Sequence, residues 1–156
     1  MKLAAMTDLD APIGFVYECI ADHQSWEREA VERGIDLERP ADMPLSGLGA
    51  GWLLKLPFRG RPVNLLLRLV HMVRDDRIDF DLQSNAIEGD LSLSVMALSP
   101  RRTRLRLQIE IKPRTLTARV LLNTLKLAKG RVQARMDLRV HQMGAQILAR
   151  YADRRR

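Results

Sequence analysis

The sequence predicts an α+β protein: an antiparallel sheet, two short helices near the start and one long C-terminal helix. Three observations carry this expectation. Residues 52–112 alternate apolar and polar side chains in several runs separated by turn residues. Residues 115–151 contain no proline, and their apolar side chains recur every three or four positions. Residues 1–34 hold a strand-like run followed by two short helical patterns.

Lys2 to Leu9 reads as a short strand ended by Asp10-Ala11-Pro12. Asp10 suits a helix N-cap and Pro12 the first turn, where its missing N–H does little harm. The helix that follows sets Ile13, Val16, Tyr17 and Ile20 on one face, with Cys19 beside it. A second helix covers Ser25 to Arg33 and stops at Gly34, and the breaker-rich residues 40–51 read as a loop. In the next strand Val63, Leu65, Leu67, Leu69, His71 and Val73 share one face by parity. Asp75-Asp76 turns the chain, and Ile78, Phe80 and Leu82 then alternate with Arg77, Asp79 and Asp81. Leu91, Leu93, Val95 and Ala97 follow, then a turn at Ser99-Pro100, then Leu105, Leu107, Ile109 and Ile111. These are hairpin-linked strands with one buried and one wet face. Pro113 ends the sheet. The closing helix carries Leu121, Leu125, Ala128, Val132, Met136, Val140, Met143 and Ile147 as one stripe, widened near its start by Leu116, Val120 and Leu127. A helix of about 35 residues spans about 50 Å, and Gly130 or Gly144 is where it would bend.

The 156 residues suit one domain over 1–151 with a basic tail at 152–156. Only 4% of residues are aromatic, so the interior is mainly aliphatic, with Met able to repack around a guest. Cys19, the only cysteine, forms no internal disulfide and fits a reducing compartment. MKLAAMTDLDAP meets Asp8 and Asp10 too early for a signal peptide. No stretch approaches the roughly 18–20 uncharged residues of a membrane span. The expectation is a bacterial-type cytoplasm, or a peripheral place at its membrane. His23, His71 and His141 lack metal-ligand spacing, so neither metal nor cofactor is expected. The nucleophile elbow and both phosphate-loop fingerprints are missing, and Cys19 among apolar helix residues reads as an inert thiol.

Two segments, DLDAPIGFVYECIADHQSWE (Asp8 to Glu27) and LSLSVMALSPRRTRLRLQIEIKP (Leu91 to Pro113), carry a further signal. The acid-Ala-Pro helix start, the Asp followed by Trp, the paired strands about a turn with Thr103 after it, and the long last helix resemble the START-like superfamily. Within it they resemble the bacterial polyketide cyclase/dehydrase and lipid-transport type, also called SRPBCC. The resemblance covers essentially the whole chain, although its motifs are structural and degenerate. It implies a helix-grip fold, a curved antiparallel sheet of about six or seven strands gripping the long helix around an apolar cavity. Members bind lipids, sterols, polyketides or plant hormones, and a minority catalyse cyclisation, dehydration or hydroxylation. The Arg-rich end from Arg150 to Arg156 matches no pattern of that family.

The expected function is therefore to hold a hydrophobic small molecule between sheet and helix, as a carrier or sensor. Leu69, His71, Phe80, Leu93, Leu107, Leu125, Val132 and Met136 are the expected lining, and Trp52 and Phe58 stand at the mouth or in the core. Tyr17 and Trp26 read as packing residues of the helical cap. The alternative is a cyclase or dehydratase with His71 as acid or base on the inner face, although a lone histidine is more often held by backbone near a strand end. Residues 101–156 hold 16 of the 26 Lys and Arg but 3 of the 19 Asp and Glu, a net charge of +13. Most of that charge reads as the solvated outside of strand and helix, partly offset by the acidic early helices. As a functional surface it favours anionic membrane contact over nucleic acid, since no aromatic residues interleave with the cations to stack bases.

Overall fold

The computed structural model describes residues 1–58 and 60–156, with the side chains of Phe58 and Arg61 outside that description. In chain order the elements are β1 (Lys2–Leu9), α1 (Ile13–Ala21), α2 (His23–Glu32), β2 (Asp36–Glu38), β3 (Gly51–Phe58), β4 (Arg61–Val73), β5 (Arg77–Gln83), β6 (Ile87–Ser99), β7 (Arg102–Pro113), α3 (Leu116–Leu127) and α4 (Lys129–Arg154). The strands form one sheet in the order β1-β7-β6-β5-β4-β3-β2, every neighbouring pair antiparallel. This is the α+β arrangement the alternation predicts, with one addition. β2, only three residues long, pairs with β3 and forms the far edge.

Parity sets the inner face. Leu3, Ala5, Thr7 and Leu9 of β1 are buried and stand opposite Ile109, Leu107, Leu105 and Thr103 of β7. Leu67, Leu69, Ile78, Phe80, Leu82 and Val95 continue this face across β4, β5 and β6. Gly89 of β6 sits between Leu82 and Ile111, and a Cβ there would strike the backbone carbonyl of Glu110. A glycine is what admits this close approach of the two strands. Outside, Asp8 accepts two hydrogen bonds from Arg104 at 2.9 and 3.2 Å, joining β1 to β7. That hydrogen bonding holds the Asp8 carboxyl below its ordinary range.

The helix starts differ in part from expectation. Pro12, not Asp10, occupies the N-cap of α1, and its carbonyl accepts from the N–H groups of Phe15 and Val16 at 3.1 Å. Asp22 caps α2 by accepting from the Ser25 N–H at 3.4 Å. Thr103, fully buried, donates its hydroxyl to the Ala11 carbonyl at 2.8 Å and so pins the β1–α1 connection to β7.

The C-terminal helix is two helices. Residue 128 breaks the expected single rod, with φ −102° and ψ 23° at Ala128, and α4 starts beside Gly130. Leu116, Val120 and Leu127, expected to widen the buried stripe, are instead exposed. Ala118 and Leu122 are the residues that α3 buries. α4 keeps its stripe and lies mainly against β1. At Gly144 an added Cβ would come 2.7 Å from Leu9 Cδ2, so only a glycine permits this approach without displacement. Gln133 Nε2 donates to the Ala4 carbonyl at 2.8 Å, and Thr7 Oγ1 lies 3.2 Å from His141 Nδ1. The helix therefore grips one margin of the sheet. The inward side chains Leu91, Leu93, Leu107 and Ile109 remain only half-buried.

Candidate functional site

The space left by that off-centre grip is an apolar chamber of about 210 Å³. Its floor is the inner face of β4, β5 and β6, through Leu67, Phe80, Leu91 and Leu93. Met143 and Ile147 of α4 face it from one side, and Cys19, Ile20 and Trp26 of α1 and α2 from the other. The polar side chains Ser25, Glu29, Gln146 and Arg150 also border it. Two polar links cross from α4 to α2 and its N-cap. Gln146 Nε2 donates to Glu29 Oε1 at 3.1 Å, and Arg150 Nη2 donates to Asp22 Oδ2 at 3.3 Å. Glu29 also accepts from Arg33 at 2.7 Å. Apolar walls with polar side chains at one border suit an amphiphilic guest.

The wall behind Phe80 is an aromatic cluster organised by Glu27. The indoles of Trp26 and Trp52 lie 4.9 Å apart, and Phe80 meets Trp52 edge-on at 6.0 Å. Glu27 Oε1 accepts from Trp52 Nε1 at 2.5 Å and from Arg39 Nη1 at 2.7 Å, and lies 3.1 Å from His23 Nδ1. The Arg39 guanidinium stacks over Trp52 at 4.5 Å, and it also donates to the carbonyls of Gly51 and Leu45. One carboxylate thus joins a helical histidine, a strand and the loop after β2.

Phe80 and Leu93 are the two expected lining residues that border the chamber. Trp52 and Leu69 lie in the core beside it, Leu69 directly opposite Phe80 in the β4–β5 ladder. Leu107, Leu125, Val132 and Met136 are half-buried and lie outside the chamber. The expected role of the Phe58 side chain falls outside the described residues. Trp26, read as a packing residue, borders the chamber, as do Leu67, Leu91, Met143 and Ile147. Inward parity pointed to Leu67 and Leu91, and helical spacing to Met143 and Ile147. No local signal marks Trp26, because the placement of α2 brings it there.

His71 is a correction. The β4–β5 register slips between Leu69 and His71, so that Leu69 faces Phe80 but His71 faces Asp79. Val70 is the extra residue of a β-bulge, and each residue after it changes face. His71 is accordingly exposed on the outer face, and Met72 stands opposite the inward Ile78. Its imidazole is across the sheet from the chamber. Cys19 also borders the chamber, and burial pushes its thiol above its ordinary pKa. It is therefore protonated near neutrality, contrary to what a nucleophile requires. Among the described residues no group of three or more His, Cys, Asp or Glu is placed to hold a metal ion. No helix among them is long and apolar enough to cross a membrane.

No protein-family model and no curated protein matches the sequence. Solved structures do match its fold. TTHA0849 from Thermus thermophilus superposes with a TM-score of 0.69 at 16% identity, over 96% of this chain and 98% of that one. The Zhui aromatase/cyclase from Streptomyces sp. R1128 gives 0.67 at 14% identity, over 97% and 95%. A START superfamily protein from Mycobacterium smegmatis gives 0.53 at 16%, over 91% and 98%. At these identities the likeness is one of fold. With its seven-stranded antiparallel sheet and long C-terminal helix, the chain has a helix-grip fold, which it shares with that START superfamily protein and the other two structures.

Proposed function

We propose that the protein binds a hydrophobic small molecule in the chamber between sheet and α4, as a carrier or sensor in the cytoplasm or at the membrane periphery. The observation that carries this reading is the chamber itself, walled by Leu67, Phe80, Leu91, Leu93, Met143 and Ile147. Its volume of about 210 Å³ is below the roughly 300–1,000 Å³ of drug-sized sites, which favours a small guest or one inserted by its apolar end. Ser25, Gln146 and Arg150 offer hydrogen-bond donors for a single polar group, and Met143 can repack around the rest. A lipid or polyketide fragment has this chemistry. One of the fold's neighbours is named an aromatase/cyclase. A cyclase or dehydratase using His71 loses its support here because that ring lies on the other face of the sheet. Native mass spectrometry after gentle extraction tests the proposal. The expected result is an apolar ligand that leaves on solvent extraction and returns on re-addition. A protein that is consistently empty, and takes up no lipid or polyketide fragment offered to it, overturns the reading.

A further inference from the structure

α3 is apolar on two opposite faces. At 100° per residue, Ala118, Leu122 and Leu125 lie on the side turned to the sheet, and Ala118 and Leu122 are buried there. Leu116, Val120 and Leu127 fall within an arc of about 40° on the other side. They are 78%, 67% and 90% exposed. A helix with a second unpartnered apolar stripe leaves surface that water disfavours, and that surface needs a cover.

The surroundings of the stripe identify the cover. Arg119 and Lys126 flank it on one side of α3, and Lys129 and Arg131 follow directly after the break at residue 128. Among the described residues none of these four has a carboxylate within salt-bridge distance, whereas Arg102, Arg104, Arg150 and Arg154 of the same basic third are paired with Asp8, Asp10, Asp22 or Glu18. Between residues 114 and 139 seven Lys and Arg accompany a single acidic residue, Asp137. An apolar ridge beside unpaired cations matches the two layers of an anionic bilayer, acyl chains under phosphates. A second copy set against the same stripe would bring like cations together, and RNA offers no place for exposed leucines.

We propose that α3 and the first turn of α4 form a docking surface for an anionic lipid bilayer, with Leu116, Val120 and Leu127 inserted between headgroups that Arg119, Lys126, Lys129 and Arg131 contact. This surface does not depend on what fills the chamber. Co-flotation with vesicles of phosphatidylcholine plus phosphatidylglycerol, against phosphatidylcholine alone, tests it. The wild-type protein should float with the anionic vesicles and not with the neutral ones. The triple variant Leu116→Ser, Val120→Ser, Leu127→Ser and the triple variant Arg119→Gln, Lys126→Gln, Lys129→Gln should each bind the anionic vesicles at least about tenfold more weakly. Both should melt with the wild type, because every replaced side chain lies on the open side of α3 or at the start of α4. Wild-type protein left unbound by anionic vesicles, or serine variants that bind as before, would overturn the proposal. So would a dimer in light scattering that the serine variant dissociates, or RNA binding that it abolishes.

Discussion

Glu27 shows how much one carboxylate organises. It accepts from a buried indole and a guanidinium that also ties down the loop after β2. Glu27→Ala leaves the Trp52 N–H without a partner, and the expected loss is about 1–3 kcal/mol. Glu27→Gln keeps an acceptor oxygen and should recover part of it. Thermal unfolding of the two variants decides this, and an alanine variant as stable as wild type would refute the role assigned to Glu27. Cys19 supplies a second check. Burial raises its thiol pKa, so labelling by a thiol reagent should be slow near neutrality and should slow further when an apolar ligand occupies the chamber. Folding disfavours this thiolate. Stability linked to it is therefore intact below the ordinary thiol range and declines as pH rises above it. Fast labelling at neutral pH, unaffected by ligand, would count against this placement. His71 and Phe80 mark the reach of sequence reading. Phe80 lies on an unbroken alternation and its inward face is legible, whereas the bulge at Val70 reverses His71 and nothing in Leu-Val-His-Met-Val announces it.

The strands were legible because each has one wet face, and β2 was not because three residues leave no periodicity to read. The break between α3 and α4 was hidden for a different reason. Its apolar spacing runs through Leu125, Ala128 and Val132 without a proline, so the pattern is continuous where the backbone is not. The sequence signal nearest the break was Gly130, a poor helix former one residue inside α4. Gly144 serves the opposite purpose, keeping α4 against Leu9 and Thr7 rather than bending it. Gly89 is the sheet's counterpart. Gly89→Ala forces a methyl group against the Glu110 carbonyl, and backbone cannot move aside as a side-chain tip can. The expected cost is about 1–3 kcal/mol, read as a lower urea midpoint. An unchanged midpoint would show that the β6–β7 hairpin does not need the close approach.

The charge asymmetry resolves into two populations once the chain is folded. Arg104, Arg150 and Arg154 fasten the basic third to acidic residues of β1, α1 and the α2 cap, as the excess of acid in the first 100 residues foreshadowed. The cations of α3 and the start of α4 are left facing outward. The chamber lies apart from both, where α1, α2, the sheet and the far half of α4 converge. That convergence is why its position was only half legible. Inward parity identified Phe80 and Leu93, but the walls from Cys19, Ile20 and Trp26 depend on how separate elements meet. It is also why the chamber was expected further toward Leu125 and Val132, along a helix taken as unbroken. The most direct measurement is binding of an apolar fluorescent probe to wild-type protein and to Met143→Trp, which fills the chamber from α4. The variant should bind the probe at least about tenfold more weakly while unfolding at the wild-type temperature or above. Equal binding by the two proteins would mean that the chamber between sheet and helix is not the binding site.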